Sequence, residues 1–314
     1  MTTSSASNTD ASSLVVEAPA KINLYLGVST ECDERGYHRV DSIMSCVDLA
    51  DVIRIVQTPG VALDVSMLPQ IELNPMSNTA YVAAYKFFEL IKKPAEVSIV
   101  VEKHIPMKSG MGGPSADAAG VLLGLCRLYE VDPHSPEIVS IAQSVGADVP
   151  FFLYAGTCYM NGAGDVFAHR YPQLPELSMV VLKPRESGVT AVDAYRRFDE
   201  LRPEAGSLEC MHIALESQDI NGVYASLSNN LADVAIDLLP ECGRALDWLL
   251  EQEEVVAGQV TGSGACVFGF VESRYQAENL AAAAREAGPW WSCVTHLRSG
   301  GPRMYDVGSH LDLC

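Results

Sequence analysis

The chain has 314 residues, 48% of them hydrophobic and 19% charged, with a net charge of −19. That length accommodates one large or two ordinary domains around a core that needs no covalent staples. The acidic balance argues against nucleic acid or an anionic membrane as a partner, and nine scattered cysteines with no CxxC pair argue against a disulfide framework or a zinc site.

Residues 1–13 (MTTSSASNTDASS) are small and polar. They lack the basic start and apolar middle of a signal peptide and read as a disordered tail. No run approaches the ~18 apolar residues of a membrane span, so a cytoplasmic protein with reduced thiols is expected. Val15–Val28 reads as a strand interrupted by Pro19. From Lys21 on, Ile22, Leu24, Leu26 and Val28 share one face, and Lys21, Asn23 and Tyr25 the other. Strands follow at Val47–Val56 and near Val61–Val65, then a helix over Asn78–Ile91 capped by Ser77 or Asn78, then a strand at Val97–Val101. A glycine-rich loop, Pro106 to Ser115, leads into a helix from Ala116 to Tyr129 that is apolar on nearly every face and therefore central. Ser135-Pro136 opens a further helix, with Gly146 placed as a left-handed cap. Strands are expected at Val149–Tyr154 and Thr157–Asn161.

Residues 171–176 (YPQLPE) form the best linker candidate. Beyond it the pattern gives strands at 178–183, 255–260, 266–270 and 292–297, with helices near 190–200, 219–229, 231–251 and 273–287. This is a second α+β unit with few obvious catalytic groups. The expected division is a tail over 1–13, a nucleotide-binding and catalytic domain over 14–174, a second domain over 175–302, and a loose tail over 303–314.

The loop from Pro106 to Ser115 is the strongest chemical signal. Gly110, Gly112 and Gly113 let the backbone approach a ligand closely, and the helix behind them offers free N–H groups and the positive end of its dipole, which together make a phosphate cradle. Glycine count alone leaves a tight turn feeding a core helix equally open. The pattern is neither a Walker loop nor a dinucleotide fingerprint, and no protein-kinase signature is present. Asp148, in Gly-Ala-Asp-Val-Pro, and Lys21, on a strand, each have an ordinary reading in isolation: a turn aspartate and a solvent-facing lysine. Taken with the cradle, they supply what phosphoryl transfer needs, a carboxylate to accept a hydroxyl proton and a cation to offset phosphate charge. Gly36-Tyr37-His38 places an aromatic ring beside an imidazole in a loop, able to stack on a flat ring. Thr261-Gly262-Ser263-Gly264 is a second glycine turn whose N–H groups could close over phosphates.

Together, Ala18-Pro-Ala-Lys-Ile-Asn-Leu24, Gly36-Tyr-His38, Pro106–Ala119, Gly146-Ala-Asp-Val-Pro150 and Thr261–Phe268 make the chain resemble the GHMP small-molecule kinases, a family that includes galactokinase, homoserine kinase and mevalonate kinase. The resemblance implies an α+β fold of two domains, the first like domain 2 of ribosomal protein S5 and the second ferredoxin-like. It implies ATP with Mg2+, Asp148 as general base and Lys21 as its catalytic partner. Pro106, Gly110, Gly112, Gly113 and Ser115 match the phosphate loop, with Ser115 toward the metal, and Asn78 and Lys103 match positions near the nucleotide. Asn23, Tyr37, His38, Thr190, Tyr195, Gly262, Ser263 and Gly264 match the acceptor side. The Gly-Tyr-His loop points within the family to a small molecule carrying a cytidine diphosphate moiety, its ring gripped by Tyr37 and His38 with Tyr195 opposite. A monomer or homodimer with no nucleic-acid or membrane partner is expected.

Three positions depart from the family pattern. Pro114 stands where another glycine is usual, Ala191 where a hydroxyl side chain is usual (so that contact is either missing or displaced to Thr190), and Asn161 where a glutamate is common. The competing readings are a family kinase for homoserine, mevalonate or a sugar, a decarboxylase of the same fold, and a non-catalytic ligand sensor. A sensor would need neither Lys21 nor Asp148.

Overall fold

The computed structural model describes residues 12–71, 73–185 and 188–307. Most of the tail expected over residues 1–13 therefore lies outside the described residues, and Ser13 already opens the first strand. Two twenty-residue antiparallel strands, β1 (Ser13–Cys32) and β2 (His38–Gln57), form the spine. Both are longer than the alternation suggested: β1 ends in exposed polar residues, whereas the first half of β2 is mostly buried but mixes Asp41, Ser42 and Ser45 among its apolar residues, which hides the pattern. β1 is broken by register shifts between Pro19 and Lys21 and between Asn23 and Tyr25. Pro19 cannot donate to a ladder, and the irregularities beside it re-aim the next side chains. After β3 (Asp64–Leu68) comes α1 (Thr79–Ile91), where Asn78 is the N-cap and its Oδ1 accepts from Ala80 N. Next come β4 (Val97–Glu102) and α2 (Gly113–Tyr129). α2 is the central helix foreseen. Gly120 and Gly124 let it sit directly on the sheet, since a Cβ there would lie 2.6 Å from Ile53 Cδ1 and 2.5 Å from Ile55 Cδ1.

α3 (Pro136–Val145) ends at Gly146, but with φ 179° the glycine is extended and is no left-handed cap. The segment expected as a strand at Val149–Tyr154 is instead a short helix, α4. Pro150 lies in its first turn, where no N–H is required, and residues 149–153 are buried throughout. A continuous apolar run of that length carries no period that separates strand from helix. β5 (Thr157–Asn161) falls where expected, and β6 (Val166–Arg170), a mostly exposed edge, was not foreseen.

The second unit holds β7 (Ser178–Pro184), α5 (Ala191–Leu201), α6 (Leu208–Glu216), α7 (Ile220–Ala225), a two-residue β8 (Ser228–Asn229), α8 (Ala232–Leu238), α9 (Pro240–Leu250), β9 (Val255–Val260), β10 (Val267–Val271), α10 (Arg274–Ala287) and β11 (Trp290–His296). The single helix expected over 231–251 is two, divided at Leu239-Pro240, and the one expected over 219–229 is the shorter α7. α6 was missed.

Four strands, β11-β7-β10-β9, make an all-antiparallel sheet. The first sheet runs β12-β1-β2-β4-β3, with β5 and β6 branching from β2 and β8 joining β1. β12 (Arg303–Val307) corrects the expected C-terminal tail: it pairs with Ser13–Glu17 and returns the chain to the first sheet. Residues 308–314 lie outside the described residues. One apolar core runs from the space between the first sheet and α1–α4 to one face of β7 and β10 and to α6 and α7, and a second lies on the other face of β7 and β10, under α8–α10.

Candidate active site

The β1 irregularities direct Lys21 and Asn23 toward the meeting point of the two units. Lys21 is tied to the glycine loop through its backbone, its N–H donating to Met111 O at 3.0 Å. Its side chain is buried, 3% exposed. The ammonium donates to Asn23 Oδ1 at 2.6 Å and lies 3.6 Å from Asp148 Oδ2. Burial pushes the Lys21 pKa below the ordinary lysine value, and the Asp148 carboxylate pulls it partly back. Asn23 is held in turn by Ser42, whose Oγ accepts from Asn23 Nδ2 at 2.9 Å, and by Thr261, whose Oγ1 accepts from Asn23 N at 3.2 Å.

Asp148 occupies the N-cap position of α4, yet its side chain makes no capping bond. The carboxylate is about a third exposed, 35%, and so remains free to meet a hydroxyl.

The glycine loop is shaped by positive φ at Gly110 (74°) and Gly112 (75°). Gly112 is the N-cap of α2, and the first N–H groups of a helix have no intrahelical acceptor. Pro114 fits this turn because its position there requires no donor. Gly110 abuts the second glycine turn so closely that a Cβ would stand 2.1 Å from Thr261 O. The reverse also holds: a Cβ on Gly262 would meet Gly110 O at 2.7 Å and Lys21 Nζ at 3.2 Å. The two glycine turns therefore form one wall.

A cavity of about 270 Å3 opens against this wall, lined by Lys21, Asn23, Gly110, Gly112, Ser115, Asp148, Tyr195, Gly262 and Ser263 among others. A larger one, about 710 Å3, adjoins it through Ala147, Ala163, Ala191 and Tyr195, and contains Gly36, Tyr37 and His38. There the His38 imidazole stacks on Tyr195, with ring centres 5.5 Å apart and planes 17° from parallel. His38 Nδ1 is 2.8 Å from Ser29 O, which assigns that nitrogen as the donor. Burial and the charge of Asp148 push the Tyr195 phenol well above its ordinary pKa, so it is neutral.

The remaining sequence-derived residues lie off these cavities. Asn78 is buried as the cap of α1. Thr190 caps α5, accepting from Asp193 N at 3.1 Å and donating to Asp193 Oδ2 at 2.6 Å. Gly113 and Gly264 shape the two turns, and Pro106 enters the loop.

Lys103 lies beneath the first turn of α2, its ammonium held by Asp51 and, at 2.5 Å, by Asp117 Oδ2. Asp51 Oδ1 also takes the amides of His104 and Ile105 at 2.6 and 2.8 Å. Burial drives the Asp117 pKa up to about 8, against the pull of Lys103, while the two carboxylates raise the Lys103 pKa. We read the cluster as a charged lysine beside one acid, Asp117, that holds its proton past the usual carboxylate range. Asp117 Oδ1 is buried without a hydrogen-bond partner, as a protonated carboxyl tolerates better than an ionised one. This cluster escaped sequence reasoning, although an aspartate inside an apolar helix was its visible signal.

Known proteins place this arrangement. The model of the GHMP kinases N terminal domain matches residues 78–156, and that of the GHMP kinases C terminal domain matches residues 211–289. The chain belongs to the GHMP kinases. It is 33% identical over 289 residues to the 4-diphosphocytidyl-2-C-methyl-D-erythritol kinase of Desulfitobacterium hafniense (strain Y51), covering 90% of this chain and 96% of that one. A crystal structure of 4-(cytidine 5'-diphospho)-2C-methyl-D-erythritol kinase superposes with a TM-score of 0.67 at 29% identity, over 90% of this chain and 99% of the other. The homoserine kinase of Cytophaga hutchinsonii ATCC 33406 superposes at 0.71 with 17% identity, over 97% and 100% of the two chains, which speaks to fold alone. The two-domain fold expected from the sequence is thus that of the family. Among the described residues no helix is long and apolar enough to cross a membrane.

Proposed function

We propose that this GHMP kinase transfers the γ-phosphate of ATP to a hydroxyl of 4-diphosphocytidyl-2-C-methyl-D-erythritol, a step in non-mevalonate isoprenoid precursor synthesis. The observation that carries this reading is the continuity of the two cavities. The Lys21–Asp148 pair lies between the glycine wall on one side and the Tyr37, His38 and Tyr195 end on the other. A triphosphate on the helix end and a cytidine ring at the aromatic end would bring the donor phosphorus and the acceptor hydroxyl together at Asp148. Asp148 takes the hydroxyl proton as the oxygen attacks, and Lys21 offsets charge developing on the transferred group.

Mg2+ suits the site's chemistry. Ser115 offers a hard oxygen on the cavity, and Mg2+ commonly completes its shell with phosphate oxygens and water. Among the described residues no three His, Cys, Asp or Glu gather to hold a metal, so the ion would arrive with the nucleotide and supply charge neutralisation on its phosphates.

The test is ADP release from ATP and Mg2+ with 4-diphosphocytidyl-2-C-methyl-D-erythritol offered beside homoserine, mevalonate and galactose. Turnover with the cytidylyl compound alone is expected. Turnover with another alcohol instead would retain the Lys21–Asp148 chemistry and discard the aromatic end as a base site. ATP binding with no turnover on any acceptor would favour a sensor.

A further inference from the structure

The loop that presents Tyr37 is tied by a charged clamp to the turn between β5 and β6. Asp33 Oδ1 accepts from the amides of Arg35 and Tyr37 at 2.9 and 3.0 Å, and Asp33 N donates to Tyr37 O at 2.7 Å. The loop is thereby folded on itself. Arg35 then carries it across to its neighbour. Its Nε donates to Asp33 Oδ2 at 2.8 Å and its Nη1 to Asp165 Oδ2 at 3.0 Å. Asp165 is buried, 4% exposed, and its other oxygen takes the amide of Ala163 at 3.0 Å. Ala163 lines both cavities. The Arg35 guanidinium also sits 5.3 Å from the centre of the Tyr37 ring and covers one of its faces.

We propose that Arg35 is a positioning residue for the acceptor's base. Bridging Asp33 and Asp165, it fixes the loop against the wall of the catalytic cavity and leaves one face of Tyr37 open for a flat ring. The proposal deepens the functional reading above and rests on it for the identity of the ring. The planar fork of Arg35 reaches two carboxylates at once, which a lysine cannot reproduce. Tyr37 is 61% exposed, so little else than its loop determines where the ring stands. A loop that spends only a tenth of its time in place would weaken the apparent affinity for the acceptor about tenfold and leave the chemical step alone.

The experiment compares Arg35→Ala and Arg35→Lys with the wild type in two ways. The first is amide hydrogen exchange over residues 33–38 of the ligand-free protein, which needs no knowledge of the substrate. The second is steady-state kinetics with the cytidylyl compound and ATP each varied. Arg35→Ala is expected to speed exchange at Tyr37 and to raise KM for the acceptor about tenfold. Its kcat and KM for ATP should stay within about twofold, since the phosphate cradle is untouched. Arg35→Lys, which cannot bridge both carboxylates, should recover little of either the KM or the protection. Unchanged exchange overturns the clamp whatever the acceptor proves to be. Faster exchange with an unchanged acceptor KM overturns its link to Tyr37. If a different alcohol is the acceptor, the exchange result still decides the clamp and only the functional reading falls.

Discussion

Lys21 Nζ lies 3.6 Å from Asp148 Oδ2, close enough for attraction but too long for a hydrogen bond, while the same ammonium donates to Asn23 Oδ1 at 2.6 Å. The pair is therefore held apart by a third residue, which leaves the carboxylate of Asp148 available for a proton. Asp148→Asn keeps the shape and removes the proposed base, and kcat is expected to fall by ~10²–10⁴ with substrate KM values little changed. Near-wild-type kcat in a steady-state assay would remove Asp148 from the mechanism.

Lys21 gives a prediction of opposite sign for stability. Its folded pKa is depressed by burial, so the unfolded chain binds more protons than the folded one between the folded value and the ordinary 10.5. Stability from this group rises with pH across that window, and at neutral pH the buried charge is a cost. Lys21→Met should therefore abolish turnover while raising Tm, by roughly 2–4 °C for each kcal/mol recovered. In the wild type, kcat should fall on an alkaline limb below pH 10.5 as Lys21 loses its proton. A lower Tm for Lys21→Met by calorimetry would contradict the desolvation account.

The proposed base site would separate binding from chemistry. Removing one aromatic wall in Tyr37→Ala should raise KM for the cytidylyl acceptor by about 1–3 kcal/mol of lost stacking, while KM for ATP stays constant. Product-formation rates with each substrate varied in turn distinguish this from the reverse pattern, which would place Tyr37 on the nucleotide.

How much of this was legible in the residues depended on which physical signal each carried. The alternation from Lys21 to Val28 and the uninterrupted apolarity of α2 are period signals, and both elements appeared where expected. The segment after Asp148 differs from its expected form: Val-Pro-Phe-Phe-Leu-Tyr is too short and too apolar for its period to show a helix, so Asp148 sits at a helix start and not before a strand. β12 was invisible because it is mostly polar and half-exposed, and only its partner Ser13–Glu17 makes it a strand. Lys103 was placed near the nucleotide from resemblance, but long-range contacts that no local pattern encodes engage its ammonium with Asp51 and Asp117.

The contact between the two glycine turns ranks substitutions that look alike in sequence. Gly36 and Gly110 both have positive φ, 84° and 74°. A Cβ at Gly36 meets nothing within 4 Å, so Gly36→Ala should cost only the backbone strain, about 1–2 kcal/mol. A Cβ at Gly110 would stand 2.1 Å from Thr261 O, so Gly110→Ala must also force the turns apart, adding ~1–3 kcal/mol and raising KM for ATP. Equal denaturation midpoints for the two variants would show that the turns are not in contact.

The cluster beneath α2 makes the last prediction. With its folded pKa at about 8, raised first by burial and then by Asp51 against the pull of Lys103, Asp117 binds its proton more tightly in the folded than in the unfolded chain. Its contribution to stability is present below the unfolded value near 4 and is lost as pH rises toward 8. Asp117→Asn has no proton to lose, and its amide can still donate toward Asp51. The free energy of unfolding of the variant relative to wild type should therefore climb by more than ~1 kcal/mol between pH 4.5 and 8, measured by urea titration at both ends. A flat difference across that range would mean that Asp117 is ionised throughout. Its buried Oδ1, which has no partner here, would then need one, and the Lys103 ammonium between Asp51 and Asp117 would be neutralised by two full charges.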